Sequence, residues 1–377
     1  MTARLRVGIF CGGRSAEHEV SIASAEAVLR HIDRERFEPY LVYVDRGGRW
    51  HLPAGPAPAL GDASLAEQLG AQSVAVQARR LRVGTDHVPV TAGSADPSLA
   101  PRAVLRSLAA TIDVAFLVAH GPFGEDGTLQ GFLELAGIPY IGAGVLASAL
   151  AMDKIVFKDL MRGHGIPVVD YLWFRRSRWQ ADADGVAAAI SSRFARSVIK
   201  PARLGSSVGM TLVHGPDELF GALEEAFGYD SKVIVEDYVA DARELECGVL
   251  GNDAPIVFEP GEVRSHGEWY DYESKYVDGL ADVLPSAEID PALAAQLRDL
   301  ALRAYVAIDC SGLARVDFLV PDGAIYLSEM NTLPGFTATS MYPKQAELAG
   351  LPFPRLVERL IELGLEASRE RDLELQP

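Results

Sequence analysis

The sequence predicts a protein of mixed α/β and α+β class with three domains. We expect an N-terminal parallel α/β domain over residues 1–146, a small central α+β domain over 147–235, and a C-terminal domain with a mostly antiparallel sheet over 236–377. A chain of 377 residues exceeds what one hydrophobic core usually serves. The chain also begins with a strand–loop–helix–strand pattern, and its last third contains four strand-like segments.

The composition is that of a soluble protein with a strongly acidic balance. Hydrophobic residues make up 49% of the chain, enough for ordinary cores, and the formal net charge is −17. Such a charge repels phosphate backbones and acidic membrane surfaces, so neither nucleic acid nor a membrane is expected as a partner. A site for an anionic ligand must therefore concentrate its cations locally.

The cysteines and the apolar runs predict a cytoplasmic protein. Cys11, Cys247 and Cys310 are far apart and lack the spacing of a metal site, so we expect buried side chains in a reducing compartment. Residues 1–13 contain too short an apolar run for a signal peptide, and no apolar stretch is long enough to span a bilayer.

The N-terminal third predicts alternating strands and helices. Apolar runs at 6–10 and 38–44 indicate strands, and the apolar face of residues 16–29 indicates a helix between them. Residues 112–119 indicate a strand buried on both faces, which leads into the glycine-rich segment HGPFGEDGTLQG. A short strand is expected at 138–141. The region rich in alanine, proline and glycine at 51–103 predicts surface loops, a short helix and a small hairpin.

The remaining chain predicts a helix followed by two sheets. One helix is expected over 147–163, then strands near Val168 and at 197–200, and a strand from Lys232 that leads into the third domain. The C-terminal strands are ECGVLG, PIVFE, LARVDFLV and AIYLSEM. Helices at about 291–307 and 354–366 should cover their sheet, and the charged tail after Ala367 should fray.

The strongest local pattern pairs LARVDFLV with AIYLSEMNT across a Pro-Asp-Gly turn. Because side chains alternate along a strand, Arg315 and Asp317 share one face, as do Glu329 and Asn331. A three-residue loop brings all four onto one side of the hairpin, whereas a two-residue loop does not. Two carboxylates and an amide are hard oxygen ligands that suit magnesium. A surface ion pair from Arg315 to Asp317 or Glu329 explains the pattern equally well.

A glycine-rich turn at residues 205–209 follows Lys200 at the end of a predicted strand. Such a turn lets backbone N–H groups approach an anion, and the lysine adds positive charge. Lys154 offers a second cation from the preceding helix. The turn lacks the GKS/T ending of a Walker A loop, and glycine-rich hairpin turns are common. Phosphate binding and an ordinary turn therefore both stay open on this pattern alone.

Two further candidates lie in the N-terminal domain. His120 follows a buried strand, where α/β domains bind substrates, but it equally suits a turn, with Glu125 and Asp126 capping the next helix. Glu17 lies near a helix N-terminus, where the dipole keeps its carboxylate ionised and able to hold an ammonium group; helix capping is an equal alternative. We reject the GxGxxA stretch at 142–147 as a dinucleotide motif because no strand with an acidic end follows at the required distance.

Five segments of the chain together resemble one known family. They are GGRSAEHEVS, HGPFGEDGTLQG, KPARLGSSVGM, YDYESKY and the stretch from GLARVDFLV to EMNTLPGFT. Their order and spacing, from Val7 to the last helix, resemble D-alanine–D-alanine ligases of the ATP-grasp superfamily. The resemblance implies a three-domain ATP-grasp architecture and a homodimer. It also implies ATP-dependent ligation of two D-alanines through an acyl phosphate, for peptidoglycan synthesis.

The resemblance implies that ATP lies between the central and C-terminal domains. Phosphates, adenine and ribose would be bound by Lys154, Lys200, Ser206, Ser207, Lys275, Glu236, Asp237, Tyr238, Val239 and Glu244. Two magnesium ions, for which manganese is a possible substitute, would be held by Asp317, Glu329 and Asn331.

The same resemblance implies sites for two D-alanines. Glu17 would hold the ammonium group of the first, with His120 near it, and the second carboxylate would bind Ser340 and the backbone of Met341. A lid loop would carry Lys275 and Tyr276.

Closure of that lid would link Tyr276 with Glu17 and Ser206. Arg315 and the N–H of Gly335 would stabilise the tetrahedral oxyanion that forms when the second amine attacks.

Two alternatives accompany this reading. A ligase of D-alanine with D-lactate or of another pair would share the metal and phosphate sites, but Glu17, Tyr276 and Ser340 favour the dipeptide. A nucleotide-binding protein without catalysis would lack a metal ligand, Arg315 or a phosphate lysine, and all of these are present. Leu204 and Met330 are mild departures from the family pattern.

Overall fold

The computed structural model describes residues 4–61, 64–73, 88–90, 101–265 and 281–374. In the N-terminal sheet, β1 (Leu5–Gly12) pairs in parallel with β2 (Phe37–Val44) and β5 (Val114–Leu117). Two short strands, β3 (Trp50–Leu52) and β4 (Val88–Val90), extend one edge antiparallel. The parallel sheet is thus confirmed.

The described residues of this part of the chain form the helices α1 (His18–His31), α2 (Leu65–Ser73), α3 (Pro101–Thr111) and α4 (Thr128–Leu135). The prediction of a short strand at 138–141 is wrong, because that segment contributes only a single parallel bridge, between Tyr140 and Ala115. Val7, Ile9 and Phe116 are fully buried in the sheet, which explains the continuous apolar runs.

The helix expected over 147–163 is two helices, α5 (Val145–Met152) and α6 (Lys154–Gly163). Asp153 breaks the helix because its backbone is extended and its carboxylate accepts the N–H groups of Ile155 and Val156 as an N-cap. The break also lets the Lys154 N–H donate to the carbonyl of Ala202 at 3.0 Å. It therefore sets the direction in which α6 presents Lys154.

The central sheet has the order β6-β9-β7-β8, and all its pairs are antiparallel. Its strands are β6 (Tyr171–Arg175), β7 (Ser197–Pro201), β8 (Thr211–Val213) and β9 (Lys232–Asp237). The strand expected near Val168 begins at Tyr171, and Val168 itself forms only a bridge to Leu327. Its helices are α7 (Arg176–Ala181), α8 (Ala183–Arg193) and α9 (Leu219–Tyr229), with a 3₁₀ turn at Pro216–Glu218.

The C-terminal sheet has the order β13-β12-β10-β14-β15, with β11 also paired to β10. Its strands are β10 (Arg243–Leu250), β11 (Ile256–Val257), β12 (Gly261–Ser265), β13 (Ala281–Leu284), β14 (Leu313–Val320) and β15 (Tyr326–Asn331). All pairs are antiparallel, as predicted. Helix α10 (Pro291–Ala307) covers one face together with α6.

The last two helices are α11 (Met341–Leu348) and α12 (Phe353–Glu374). Contrary to expectation, α12 does not fray after Ala367, and it packs on the N-terminal sheet rather than on the C-terminal one. Gly364 allows this approach, since a Cβ there would lie 2.6 Å from the carbonyl oxygen of Tyr140. No helix in the described parts of the chain is both long and apolar enough to cross a membrane.

Candidate functional site

A cleft of about 1330 Å³ lies where the three sheets meet. Every predicted site residue within the described ranges lines it: Glu17, His120, Lys154, Lys200, Ser206, Ser207, Glu236, Asp237, Tyr238, Val239, Glu244, Arg315, Asp317, Glu329, Asn331, Gly335, Ser340 and Met341. Lys275 and Tyr276 lie outside the described residues. The fold therefore gathers segments that are more than 300 residues apart in sequence into one cavity.

A β-bulge creates the acidic wall of the cleft. Asp317 lies opposite Glu329, and Arg315 lies opposite Asn331, because the register of β14 and β15 shifts between Asp317 and Phe318. The connection is longer than the expected three-residue loop, since β14 ends at Val320 and β15 begins at Tyr326. The four side chains thus share one face, as expected, because β15 contains one extra residue at the bulge and not because the turn is tight.

Asp317 accepts hydrogen bonds from both neighbours in this wall. Arg315 donates to it through Nε and Nη2, at 2.7 Å each, and Asn331 donates through Nδ2 at 2.9 Å. Arg315 Nε also lies 3.1 Å from Glu246. Burial lowers the pKa of Arg315, but the charges of Asp317 and Glu246 outweigh it and raise that pKa. The ion pair that the sequence left as an alternative is therefore present, and it faces the cleft.

Two lysines face the same space from the central side. Lys154 Nζ donates to the carbonyl of Leu204 at 2.7 Å and lies 3.4 Å from Glu329. Lys200 Nζ lies 2.6 Å from Glu236. In the glycine-rich turn, Ser206 and Ser207 both adopt positive φ angles, of 50° and 56°. Such angles are uncommon outside glycine, and two in succession are also the geometry of a type I′ hairpin turn, so they do not by themselves distinguish an anion-binding loop from a hairpin turn.

Glu17 connects the N-terminal domain to that turn. It stands at the N-cap of α1, but its side chain makes no capping bond. Instead its carboxylate accepts a hydrogen bond from Ser206 Oγ at 2.5 Å. The capping alternative is wrong, and the contact joins residues 189 positions apart across the cleft.

His120 is buried and both its ring nitrogens contact protein atoms. Nδ1 lies 2.9 Å from the carbonyl of Leu333, to which it donates, and Nε2 lies 3.2 Å from Ser24 Oγ. Burial lowers the pKa of the imidazole, so the ring is neutral near pH 7. His120 therefore ties the N-terminal domain to the loop that begins at Leu333 and carries Gly335.

The two acids after His120 have different roles. Asp126 accepts the N–H of Thr128, the first residue of α4, at 2.9 Å, whereas the N-cap itself is Gly127, which has no side-chain cap. Glu125 instead lines the cleft and accepts the N–H of Gly121 at 3.0 Å. Burial and the charge of Glu17 raise the pKa of Glu125 to about 8. Its carboxyl group is thus protonated at neutral pH.

The far wall is built from the segment between Gly335 and α11. Ser340 is the N-cap of α11, and its Oγ accepts the N–H of Thr337 at 3.1 Å instead of capping its own helix. The first N–H groups of α11 consequently keep no side-chain cap at a position that lines the cleft. Such a helix start suits a carboxylate.

Comparison with known proteins identifies the family. Residues 6–143 match the D-ala D-ala ligase N-terminus, and residues 160–362 match the D-ala D-ala ligase C-terminus. The chain belongs to the D-alanine–D-alanine ligase family. A D-alanine–D-alanine ligase of Deinococcus radiodurans is 42% identical over 96% of this chain and 98% of its own length. That of Acetivibrio thermocellus is 40% identical over 97% of both chains.

Solved structures of the ligase family agree with this assignment. The D-alanine–D-alanine ligase of Coxiella burnetii superposes with a TM-score of 0.80 at 33% identity, covering 99% of this chain and 97% of that one. The VanG D-Ala:D-Ser ligase of Enterococcus faecalis gives 0.76 at 32% identity, covering 96% and 100%. A ligase of Bacillus anthracis complexed with ATP gives 0.71 at 28% identity, covering 98% and 100%.

Sequence reasoning did not assign several residues at the site of this ligase-family chain. Glu246 follows Glu244 at the alternate spacing of a strand, a pattern that points to the same face. Lys158 follows Lys154 by one helical turn and contacts Glu236 beneath the cleft. Arg196, whose guanidinium lies 4.1 Å from the centre of the Tyr238 ring, carried no local signal.

Proposed function

We propose that this protein ligates two D-alanines to D-alanyl-D-alanine with ATP, releasing ADP and phosphate, in the supply of peptidoglycan precursors. One observation carries the proposal: a single cleft brings the acidic wall, the lysines and the Glu17–Ser206 contact together, in a chain that matches the ligase family along its length.

ATP would bind between the central and C-terminal sheets. Lys154 and Lys200 both line the cleft and would contact the phosphates, with Ser206, Ser207 and Lys275. The segment from Glu236 to Val239 would contact adenine. Because the carboxylate of Glu236 is engaged by two lysines, its contact with adenine would come from the backbone. Glu244, on β10, would hold the ribose.

The acidic wall suits two magnesium ions, or manganese in their place. Within the described residues no cluster of three histidine, cysteine, aspartate or glutamate side chains suits a metal. Here the donors are two carboxylates, Asp317 and Glu329, and the amide of Asn331, which fits an ion that keeps phosphate and water oxygens in its shell. When bound, magnesium would neutralise charge on the transferred phosphoryl group.

The first D-alanine would bind with its ammonium group at Glu17, near His120. Its carboxylate oxygen attacks the γ-phosphorus, the bond to ADP breaks, and an acyl phosphate forms. Positioning and charge stabilisation supply most of the catalysis in such a transfer. Tyr276, together with Ser206 and Glu17, would hold the lid closed and keep water from the acyl phosphate.

The second D-alanine would bind with its carboxylate at Ser340 and the Met341 N–H. Its amine attacks the acyl carbonyl, and the tetrahedral oxyanion would be stabilised by Arg315 and the Gly335 N–H. Phosphate then leaves with the C–O bonding electrons, the attacking nitrogen loses a proton that the departing phosphate can take up, and the dipeptide forms.

The test is ADP release measured with D-alanine, L-alanine, D-serine and D-lactate in turn, with mass detection of the products. We expect D-alanine alone to support rapid release, with a product of two alanines minus water. Release that requires D-lactate or D-serine beside D-alanine would instead assign a depsipeptide or mixed-dipeptide ligase. Absence of ADP release with all four substrates would refute the proposal.

We also propose that the protein acts as a homodimer in the cytoplasm, as the family resemblance implies. Light scattering of the purified protein should give about twice the chain mass of 40.6 kDa. A mass near that of one chain at micromolar concentration would contradict the dimer.

A further inference from the structure

A buried carboxylate lies between two lysines beneath the nucleotide side of the cleft. Glu236 on β9 is 3% exposed; its Oε1 lies 2.8 Å from Lys158 Nζ and its Oε2 lies 2.6 Å from Lys200 Nζ. Lys158 is 1% exposed and does not line the cleft, whereas Lys200 and Glu236 do. The carboxylate thus separates a lysine behind it from a lysine in front.

The contact between Lys158 and Glu236 is an ion pair rather than a well-aligned hydrogen bond. Within the described residues, neither Lys158 Nζ nor Glu236 Oε1 has an aligned hydrogen-bond partner, although the two atoms are in ion-pair distance. Burial raises the pKa of Glu236, but both lysines outweigh it and lower that pKa to about 2. The carboxylate is therefore ionised throughout the neutral range, and its one negative charge is shared between two cations.

This sharing sets the charge that a nucleotide meets. If Glu236 faced Lys200 alone, the two would form a neutral pair, and a triphosphate would have to compete with the carboxylate for that lysine. Burial lowers the pKa of Lys158, and the charge of Glu236 opposes that shift. With Lys158 protonated behind Glu236, the three groups carry a net positive charge, and buried charges this close interact far more strongly than exposed ones.

We propose that Lys158 is a positioning residue for ATP: it holds Glu236 from behind, so that Lys200 keeps positive charge for the phosphates. The inference rests on the proposed function, because it concerns the same nucleotide site. Helix α6 would then supply one cation directly, through Lys154, and a second indirectly, through Lys158 one turn later.

The first experiment compares Lys158→Met with the parent by calorimetric titration of ATP with magnesium, without D-alanine. We expect Kd for ATP to rise about tenfold or more, which corresponds to about 1.4 kcal/mol. In steady-state assays KM for ATP should rise similarly, while KM for D-alanine changes less than about twofold. A purely structural role would not separate the two KM values.

A matched control comes from the C-terminal sheet. Glu262 is likewise a buried carboxylate between two cations, Arg243 and Arg264, and neither it nor Arg264 lines the cleft. Arg264→Met removes one of its two partners and should leave Kd for ATP within about twofold of the parent. Equal weakening in Lys158→Met and Arg264→Met would overturn the proposal.

A double variant decides the case in which Lys158→Met does not fold. Lys158→Met with Glu236→Gln removes both buried charges and leaves Lys200 without its carboxylate, so Kd for ATP should return to within about threefold of the parent. A folded double variant that binds ATP more weakly than this overturns the proposal, as does unchanged binding in a folded Lys158→Met. ATP binding is measured without D-alanine. A parent protein that binds ATP but releases no ADP would therefore contradict the proposed ligase activity and leave the proposal for Lys158 intact.

Discussion

The two ends of the cleft are held together by different interactions. At the nucleotide end, both phosphate lysines within the described residues have carboxylate partners: Lys154 contacts Glu329 and Lys200 contacts Glu236, and Arg315 contacts Asp317 in the adjoining acidic wall. At the substrate end, single hydrogen bonds join different domains, as in Glu17 to Ser206 and His120 to Leu333. The ion pairs hold the charged side chains of the nucleotide end in place. The hydrogen bonds of the substrate end hold the domains in position relative to one another.

The two ends therefore have different requirements for assembly. The nucleotide end consists of strands and one helix from the middle and C-terminal parts of the chain. The substrate end exists only when all three sheets are docked, since its bonds link residues 189 and 213 positions apart. Substitutions at the nucleotide end should abolish turnover. Substitutions at the substrate end should weaken the docking of the domains and lower turnover to a level that can still be measured.

The largest effect is expected for Glu329→Gln, which removes a negative ligand from the acidic wall. Turnover should fall by about 100-fold or more, because loss of even an indirect metal partner typically costs 10- to 100-fold. The measurement is ADP release at saturating D-alanine over a magnesium series. Glu370→Gln, which neutralises an exposed acid on α12, should behave as the parent. Full turnover in Glu329→Gln would refute the metal assignment.

An intermediate effect is expected for Ser206→Ala, which breaks the bond between the central and N-terminal domains. Hydrogen bonds to charged groups contribute about 1.5–3 kcal/mol, so kcat/KM for D-alanine should fall roughly tenfold or more. Kd for ATP should change much less, because the backbone N–H of residue 206, through which the turn would contact the phosphates, is kept in alanine. Ser191→Ala on α8, where the hydroxyl bonds only within its helix, is the control. If ATP binding and D-alanine use fell together, the distinction between the two ends would fail.

The smallest effect concerns stability and pH at Glu125. The pKa of this group is raised to about 8 from an ordinary value of 4.5, so the folded state binds the proton more tightly than the unfolded state does. Its contribution to stability is complete below the ordinary value and is lost as pH rises toward 8. Glu125→Gln should therefore gain roughly 1–3 kcal/mol over the parent between pH 5 and pH 7.

The measurement is denaturant unfolding of both proteins at the two pH values. Glu224→Gln removes an exposed acid on α9 and should show no such trend. A constant difference between Glu125→Gln and the parent across this range would show that the carboxyl group does not titrate there.

Much of the fold and of the acidic wall follows from local sequence patterns. The spacing of Arg315, Asp317, Glu329 and Asn331 predicted that all four share one face. The β-bulge that brings the two strands into this register was not indicated by any local pattern. The break at Asp153 was missed because the apolar pattern continues across it, even though aspartate is a favoured N-cap.

Other features depend on long-range contacts and were beyond sequence reasoning. The position of Lys158 behind Glu236 joins a helix to a strand almost 80 residues later, and the sequence gives only the spacing from Lys154. The destination of α12 was likewise mistaken, because an apolar face predicts burial without naming the partner. Local patterns specify which side chains are buried, but only the assembled tertiary structure specifies what they meet.

The close contact of Gly364 with Tyr140 has a consequence for biosynthesis. The N-terminal sheet is translated before α12, the helix that packs on one of its faces. The first domain therefore emerges with an apolar face still exposed. A chain arrested before residue 353 would keep that face uncovered, which makes such truncated chains targets for chaperones and proteases.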